Sequence, residues 1–596
     1  MIAFTAPWVL GGLVLAAVPI VLHLVARREP PVVEFPAVRY LEETSRRHQR
    51  RVHLQHWMLL LVRTLLIVLL VLAAAGPTRE GGVELGGHSP TALVIILDNS
   101  LSSGAVRGGE PTLSQLRAAA AATLERATPA DRLWLVTADG VPRSGSAEVL
   151  RAVVDSIEAS EWRLDLGAAL TVSQALLATT SLPGEVVMLT DLQATAVSPA
   201  SGDFPIVIGI PETEAPANLG IARLDAGAQP WLGAGRLSVE VHGEAGSDPR
   251  PLRVALAGRE VRQVLVDAGA RTAIPVAAPL VGWHRLEVRL DPDELRGDDG
   301  AVTAVRQAAP ASVAWESADR YVDAAMEVLV ANGRIVRGGE VTIGRFGSGS
   351  SIILPPADAA ELGALNRTLA ARGIGWAFAE SASPAGRTDS STTLPAVVVA
   401  RRHRLLPVGS GVTGVIATVD GEPWLVRSGN VVVFGSRLDP EWTDLPLTAG
   451  YMPFMDALVN RYVRGELATL QAAPGDLVAL PGGVTRVLGP LGDQRVESGG
   501  RYLATVTGLH WLVEASDTVG VLAVNPDPRE SALAAATPAA VRALWPGARL
   551  LSPEGAATLA FGQGARADLR GPFLWLVLLL ACCELLLGAA LRRRSG

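Results

Sequence analysis

The run Leu93-Val94-Ile95-Ile96-Leu97-Asp98-Asn99-Ser100-Leu101-Ser102 decides how this chain is read. Five consecutive aliphatic residues make a strand buried on both faces, as strands of parallel sheets are. The strand ends on Asp98, and the Asp-x-Ser-x-Ser pattern sets one carboxylate and two hydroxyls at its tip. Ligands of open α/β sheets bind beyond the carboxyl ends of the strands. Oxygen donors of this kind suit a hard divalent cation.

Outward from that strand, apolar strands alternate with amphipathic helices. Strands are expected over 92–98, 132–138, 185–190 and 204–210, and helices over 113–126, 147–159 and 166–178. Such alternation predicts a doubly wound parallel sheet with helices on both faces. It places a second acid, Asp191, at the carboxyl end of another strand.

Asp98-x-Ser100-x-Ser102 and Leu189-Thr190-Asp191 together resemble the metal-ion-dependent adhesion site of von Willebrand factor A (VWA) domains. The resemblance implies that Asp98, Ser100, Ser102 and Asp191 hold Mg2+, with one coordination position left for a partner's carboxylate. It implies binding rather than turnover. The chain departs from the pattern at its middle element, a threonine before the helix that starts near Gly167. In Arg163-Leu164-Asp165-Leu166 the threonine place is taken by Leu164, which cannot ligate. Thr171 lies about two helical turns too far along, and Asp165 reaches the site only in a rearranged loop. Two readings stay open: weak or conditional Mg2+ binding, or a metal-free relic.

The chain has 596 residues, enough for several domains. Apolar residues make up 49% and charged ones 19%, a balance shifted toward membrane proteins. The net charge of −7 argues against a nucleic-acid partner. No lysine occurs, so every basic side chain is Arg or His. Cys582 and Cys583 are the only cysteines, and both fall in the last apolar segment. Residues before it therefore carry no disulfide, thiolate zinc site or cysteine nucleophile.

Three stretches, over 6–26, 57–75 and 573–591, approach the roughly 20 apolar residues that a bilayer requires. The first lacks a small-residue cleavage site and reads as a retained helix rather than a signal peptide. Arg27, Arg28, Arg39, Arg46, Arg47, Arg50 and Arg51 lie between the first two, and Arg592-Arg593-Arg594 follow the third. The positive-inside rule puts both groups in the cytoplasm. Residues 77–571 are then expected outside an inner membrane. Arg63 and Glu584 are ionisable residues inside the second and third spans; either Arg63 snorkels to the interface while Glu584 is protonated or near water, or the two pair.

Ala6-Pro7-Trp8, Pro19-Ile20-Val21-Leu22-His23-Leu24, Val33-Glu34-Phe35-Pro36-Ala37-Val38-Arg39-Tyr40-Leu41 and Ala75-Gly76-Pro77 follow one another over the first 77 residues. In order and spacing they resemble the aerotolerance-regulator N-terminal domain of BatA-type proteins. The resemblance implies a transmembrane hairpin, residues 1–76, from which a large domain hangs.

Beyond the VWA-like segment, 91–211, four further segments are expected. Residues 212–306 read as an immunoglobulin-like β-sandwich, in which the acidic stretch from Asp291 to Asp299 reads as a solvated turn rather than a calcium site. Residues 307–465 return to α/β alternation. There Val431-Val432-Val433-Phe434-Gly435-Ser436-Arg437-Leu438 and Trp442-Thr443-Asp444-Leu445-Pro446 resemble the glutamine-amidotransferase-like domain of BatA-like proteins. Active members use a cysteine, and none is present here. Residues 466–534 form a small β unit ending in Asn525-Pro526-Asp527-Pro528-Arg529-Glu530-Ser531, another BatA-like feature. Residues 535–570 read as a loosely packed stalk, and 571–592 as the third span. Residues 381–393 read as a mobile polar insertion.

The whole is expected to be a multidomain α/β and β-sandwich protein with three transmembrane helices. The expected function is a cell-envelope scaffold that presents a degenerate metal-dependent site to a protein partner, without enzymatic activity. The alternative is an envelope hydrolase using a serine of Gly347-Ser348-Gly349-Ser350-Ser351. No Gly-x-Ser-x-Gly elbow supports it, and His403, the one histidine of that domain, reads as a surface residue beside Arg401, Arg402 and Arg404.

Overall fold

The computed structural model describes residues 2–4, 6–25, 42–80, 88–200, 204–243, 248–278, 280–316, 319–391, 394–408, 414–465, 467–562, 566–568 and 570–592. It is a mixed α/β, multidomain structure with several separate sheets.

The all-aliphatic strand Ala92–Leu97 is wholly buried and lies inside a six-stranded sheet. It pairs in parallel with Arg132–Val136 on one side and Gly184–Leu189 on the other. Ile206–Gly209 extends the sheet beyond Gly184–Leu189, and Arg143–Ser144 closes the opposite edge antiparallel. Helices Thr112–Glu125 and Ala147–Ser156 contribute to the core on one face, around Leu93, Ile95 and Leu97. Leu166–Leu177 contributes to the other core, around Val94 and Ile96. Odd and even residues of one strand thus feed two different cores, as a pleat requires. The two-sided burial explains the absence of polar alternation.

The sixth strand is the departure from expectation. Arg549–Leu551 lies parallel to Ile206–Gly209, with Leu550 opposite Ile208. It belongs to the segment expected as a stalk. Val541 and Trp545, 0% and 2% exposed, join the core on one face. Ala556, Ala557 and Phe561 join the core on the other. Small alanines let helix Pro553–Leu559 approach closely, so an Ala/Gly-rich composition here marks tight packing rather than looseness. Residues 212–534 are consequently inserted between two neighbouring strands of one sheet.

The insertion holds three bodies. The first is a sandwich of two antiparallel sheets: Leu219–Asp225, Ala234–Gly243 and Arg271–Ala277 face Arg259–Val266, Arg250–Leu256, Gly282–Leu290 and Gly300–Gln307. The second is a seven-stranded mixed sheet that includes Ala311–Trp315, Ser350–Ile353 and Val431–Phe434, with helix Arg320–Ala331 in its core. Of residues 381–393, expected as a mobile insertion, 392–393 lie outside the described residues; within the rest, Gly386–Arg387 pairs with the later strand Val398–Val399, and Thr388 is buried. The third is a five-stranded sheet that includes Gly508–Glu514 and Asp517–Val524. It docks on the sandwich through Leu509, Val521 and Ala523 against Ala304.

At the membrane end, Pro7–Ala16 and Ala17–Val25 form the first apolar helix, Glu42–Ala75 the second and Arg570–Arg592 the third. Among the described residues, Trp57–Ala75 is one stretch long and apolar enough to cross a bilayer; Pro7–Leu22 and Gly571–Leu586 are shorter apolar helices. Strands Ile2–Phe4, Pro77–Glu80 and Arg566–Asp568 form one small antiparallel sheet. It gathers the start of the first helix, the end of the second and the start of the third at one end. Arg27, Arg28, Arg39, Arg593 and Arg594 lie outside the described residues.

Candidate functional site

Asp98 follows directly on the buried strand, and its carboxylate folds the next turn: Oδ1 accepts the Ser100 N–H at 3.0 Å. Such an Asx turn is what a short acid two residues ahead favours. The hydroxyls of Ser100 and Ser102 lie 3.1 Å apart. Thr190, at the end of the neighbouring strand, donates its hydroxyl to Asp98 Oδ2 at 2.5 Å. Asp191 accepts the Gln193 N–H at 3.4 Å, helped by Leu192 in the left-handed region at φ 55°. Arg107 Nη2 stands 3.7 Å from Asp191 Oδ2. The four residues singled out in the sequence, Asp98, Ser100, Ser102 and Asp191, therefore meet at the carboxyl ends of adjacent strands. All are at most 2% exposed.

A fifth residue joins them. Glu530, 428 positions after Ser102, accepts the Ser102 N–H on Oε2 at 3.0 Å and is fully buried. Its Oε1 has no donor, and neither has Asp191 Oδ2. The turn Pro528–Ser531 that carries it is started by Asp527, which accepts the Arg529 N–H. The Glu530 carbonyl also accepts from Gln193 Nε2 at 2.9 Å. The two motifs Thr190–Gln193 and Asn525–Ser531 are thus packed on each other. The sequence signal was present, since Glu530 lies in a quoted motif, but nothing along the chain says which strand end it meets.

Three buried carboxylates, Asp98, Asp191 and Glu530, share this space with one nearby guanidinium. Burial pushes Glu530 up to about 8, and the charges of Asp98 and Asp191 add to it. Burial and the Asp98 charge push Asp191 up to about 7, against the pull of Arg107. Burial also raises Asp98, while hydrogen bonds from Ser100 and Thr190 oppose it. Like charges in a desolvated site disfavour ionisation. Protons or a divalent cation are the two ways to relieve that repulsion, and the donor set of carboxylates and hydroxyls fits a hard cation.

Leu164, in the threonine place, is 3% exposed and belongs to the apolar core with Leu166, Leu192 and Ala196. Asp165 does not turn toward the site. It caps helix Leu166–Leu177 through the Ala168 N–H and accepts the Ser198 hydroxyl at 2.6 Å. Thr171 donates to the Gly167 carbonyl within its own helix. The preceding loop is pinned from outside by Trp162 Nε1, which donates to the Thr505 carbonyl at 3.1 Å.

Two expectations need correction. His403 is not at the surface: it is 4% exposed, edge-on to Phe378 and tilted on Trp442 at 5.7 Å. Burial lowers its pKa. Strand Arg402–Pro407 is covered on both faces at its start, where Arg402 and His403 are each 4% exposed. Ser351 Oγ is occupied as an acceptor for the Gly347 N–H. The acidic stretch is solvated only in part: Pro292, Glu294 and Arg296 are exposed, while its end is buried. Asp298 and Asp299 are 3% and 7% exposed, because the turn Arg296–Asp298 folds onto the body of the protein, with Gly297 against Leu101.

The architecture is that of a multidomain protein with an apolar helix of membrane-spanning length. Its residues 1–77 match the family model described as BatA, aerotolerance regulator N-terminal. No curated protein sequence matches the chain. Among solved structures, an aerotolerance-related membrane protein from Bacteroides fragilis is 12% identical, with TM-score 0.18, over 22% of this chain and 72% of that one. The pilus adhesin SpaC from Lactobacillus rhamnosus GG is 8% identical, with TM-score 0.17, over 75% and 88% of the two chains. A β-glucosidase from Listeria innocua is 12% identical, with TM-score 0.12, over 41% and 50%.

Proposed function

We propose that this is an inner-membrane scaffold protein of the cell envelope, displaying residues 77–571 outside the cytoplasm and docking a protein partner through a VWA-like domain. The six-stranded sheet with Asp98, Ser100, Ser102 and Asp191 at its strand ends supports the VWA-like reading. The contact that carries the proposal is Ser102 N–H to Glu530 at 3.0 Å. Where a VWA site offers a coordination position to a partner's carboxylate, this chain presents one of its own. The site is then a closed latch, holding weakly bound Mg2+ or protons, and a partner's acid competes with Glu530. No turnover is required of it, and the inserted seven-stranded body, amidotransferase-like in this reading, acts as a spacer or second docking surface. The small sheet joining Ile2–Phe4, Pro77–Glu80 and Arg566–Asp568 supports one common side for the three helix ends.

Crosslinking and mass spectrometry of the tagged chain in its native membranes test the reading. In Glu530→Gln, crosslinks from residues 98–107 and 191–197 to one other envelope protein should rise at least several-fold over wild type. Asp98→Ala should remove them. Unchanged crosslinks in both variants would overturn the latch. Protease added to spheroplasts should digest the bulk of the chain; full protection would overturn the orientation.

A further inference from the structure

The turn between strands Gly282–Leu290 and Gly300–Gln307 brings Asp293, Asp298 and Asp299 together, with one oxygen of each within 4.8 Å of the others. The three are not equivalent. Asp293 is satisfied: Oδ2 accepts the Leu219 N–H at 3.0 Å and Arg250 Nη1 at 2.8 Å, and Oδ1 accepts the Leu295 N–H. Its charge is balanced by Arg250. Asp298 Oδ2 accepts Asn218 Nδ2 at 2.7 Å, but Asp298 Oδ1 and both oxygens of Asp299 have no donor. The Asn218 amide oxygen is buried without a donor as well. Among the described residues neither Asp298 nor Asp299 is in an ion pair. Three buried carboxylate oxygens of Asp298 and Asp299 therefore lack a donor beside Asp293, and the one positive charge acting on Asp299, that of Arg250, is already paired with Asp293. A lone ionised carboxylate in such surroundings is costly.

We propose that Asp298 and Asp299, flanked by Asn218 and Asp293, bind one divalent cation of the calcium type. Two free carboxylates balance a charge of two, the Asp293–Arg250 pair being neutral by itself. The donors are all oxygen, which excludes a thiolate or imidazole metal site, and both Asp299 oxygens are free to chelate together. Irregular carboxylate and amide oxygens suit Ca2+, which accepts six to eight ligands in flexible geometry, better than Mg2+, which demands an octahedron. The site would also have a mechanical consequence. The Ser531 hydroxyl and Asp298 Oδ2 both crowd Gly220, where an added Cβ would lie 2.4 Å and 2.0 Å from them. A cation on Asp298 and Asp299 would fasten the sandwich to the turn that carries Glu530. The inference stands on these oxygens and does not rest on the docking role of Asp98.

Thermal melting of the detergent-solubilised full chain, stripped with EDTA, tests it. Ca2+ at about 1 mM should raise the melting temperature by several degrees, as binding to the native state alone must. Mg2+ should do so less. Asp299→Asn and Asp298→Asn should each weaken the Ca2+ response at least about tenfold in concentration. Asp98→Ala and Glu530→Gln should keep it. Calorimetry of Asp98→Ala with Ca2+ should give one site per chain, a measurement that needs no fold from the Asn variants. Absence of any Ca2+ response in wild type at about 5 mM, or a response kept in Asp299→Asn and lost in Asp98→Ala, would overturn the proposal.

Discussion

Arg63 Nε donates to Glu584 Oε1 at 2.6 Å, joining the second and third apolar helices across 521 positions of sequence. Two isolated charges in apolar helices are expensive, whereas a pair offsets much of that cost. Arg63→Glu alone sets two carboxylates against each other, and Glu584→Arg sets two guanidiniums. Each single variant should melt several degrees lower in detergent, and the double charge swap should recover most of the loss. A double variant no better than the singles would show that the ion pair does not hold the helices together.

The latch proposed around Glu530 predicts an alkaline weakness. Glu530 is raised to about 8 and Asp191 to about 7, both above the ordinary carboxylate range. A raised acid stabilises the fold below its unfolded value and loses that contribution as pH climbs through its folded value. In EDTA, stability should therefore fall by several kcal/mol between about pH 5 and 8, at roughly 1.4 kcal/mol per pH unit for each acid while it titrates. Glu530→Gln keeps an acceptor for the Ser102 N–H without the charge, so it should flatten that slope. A divalent cation at the site should do the same and release protons on binding. A wild-type profile level across this range would remove the electrostatic basis of the latch.

The sixth strand makes the C-terminal segment part of the first sheet. Trp545 is 2% exposed, lies in the core with Ile206 and Ile208, and donates Nε1 to the Ser198 carbonyl at 3.2 Å. Trp545→Ala should cost about 3–5 kcal/mol, the price of a large cavity. Limited proteolysis should then cut within 538–562 and also loosen the strands near 206. Wild-type protease resistance in the variant would mean that the segment is dispensable to the sheet.

Local patterns made much of this fold legible. The strand expected over 92–98 is found at Ala92–Leu97 and the helix expected over 166–178 at Leu166–Leu177, and Asp98, Ser100, Ser102 and Asp191 converge at the strand ends of a parallel sheet. What was not legible is what depends on long-range closure. Glu530 meets Ser102 through an insertion of more than half the chain, and the partner of Arg549–Leu551 is a strand over 300 residues earlier. Alanine-rich helices look loose in sequence because composition does not reveal what packs on them. His403 and Asp299 mislead similarly: polar residues in polar neighbourhoods read as exposed, yet a strand face and a folded turn bury them.

Leu164 offers a sharp test of the VWA-like reading proposed above. Its side chain contributes to the apolar core rather than to the Asp98 cluster, and its loop is held by Asp165 at the helix start and Trp162 on the outside. Leu164→Thr supplies the missing hydroxyl in sequence but places it in a core that offers no obvious partner. The variant should lose about 2–4 kcal/mol, from lost burial and an unsatisfied hydroxyl. Its affinity for Mn2+, followed by calorimetry, should stay that of the parent. A gain of about tenfold or more would mean that the loop does swing to the strand ends, and that leucine alone had kept the site from full coordination.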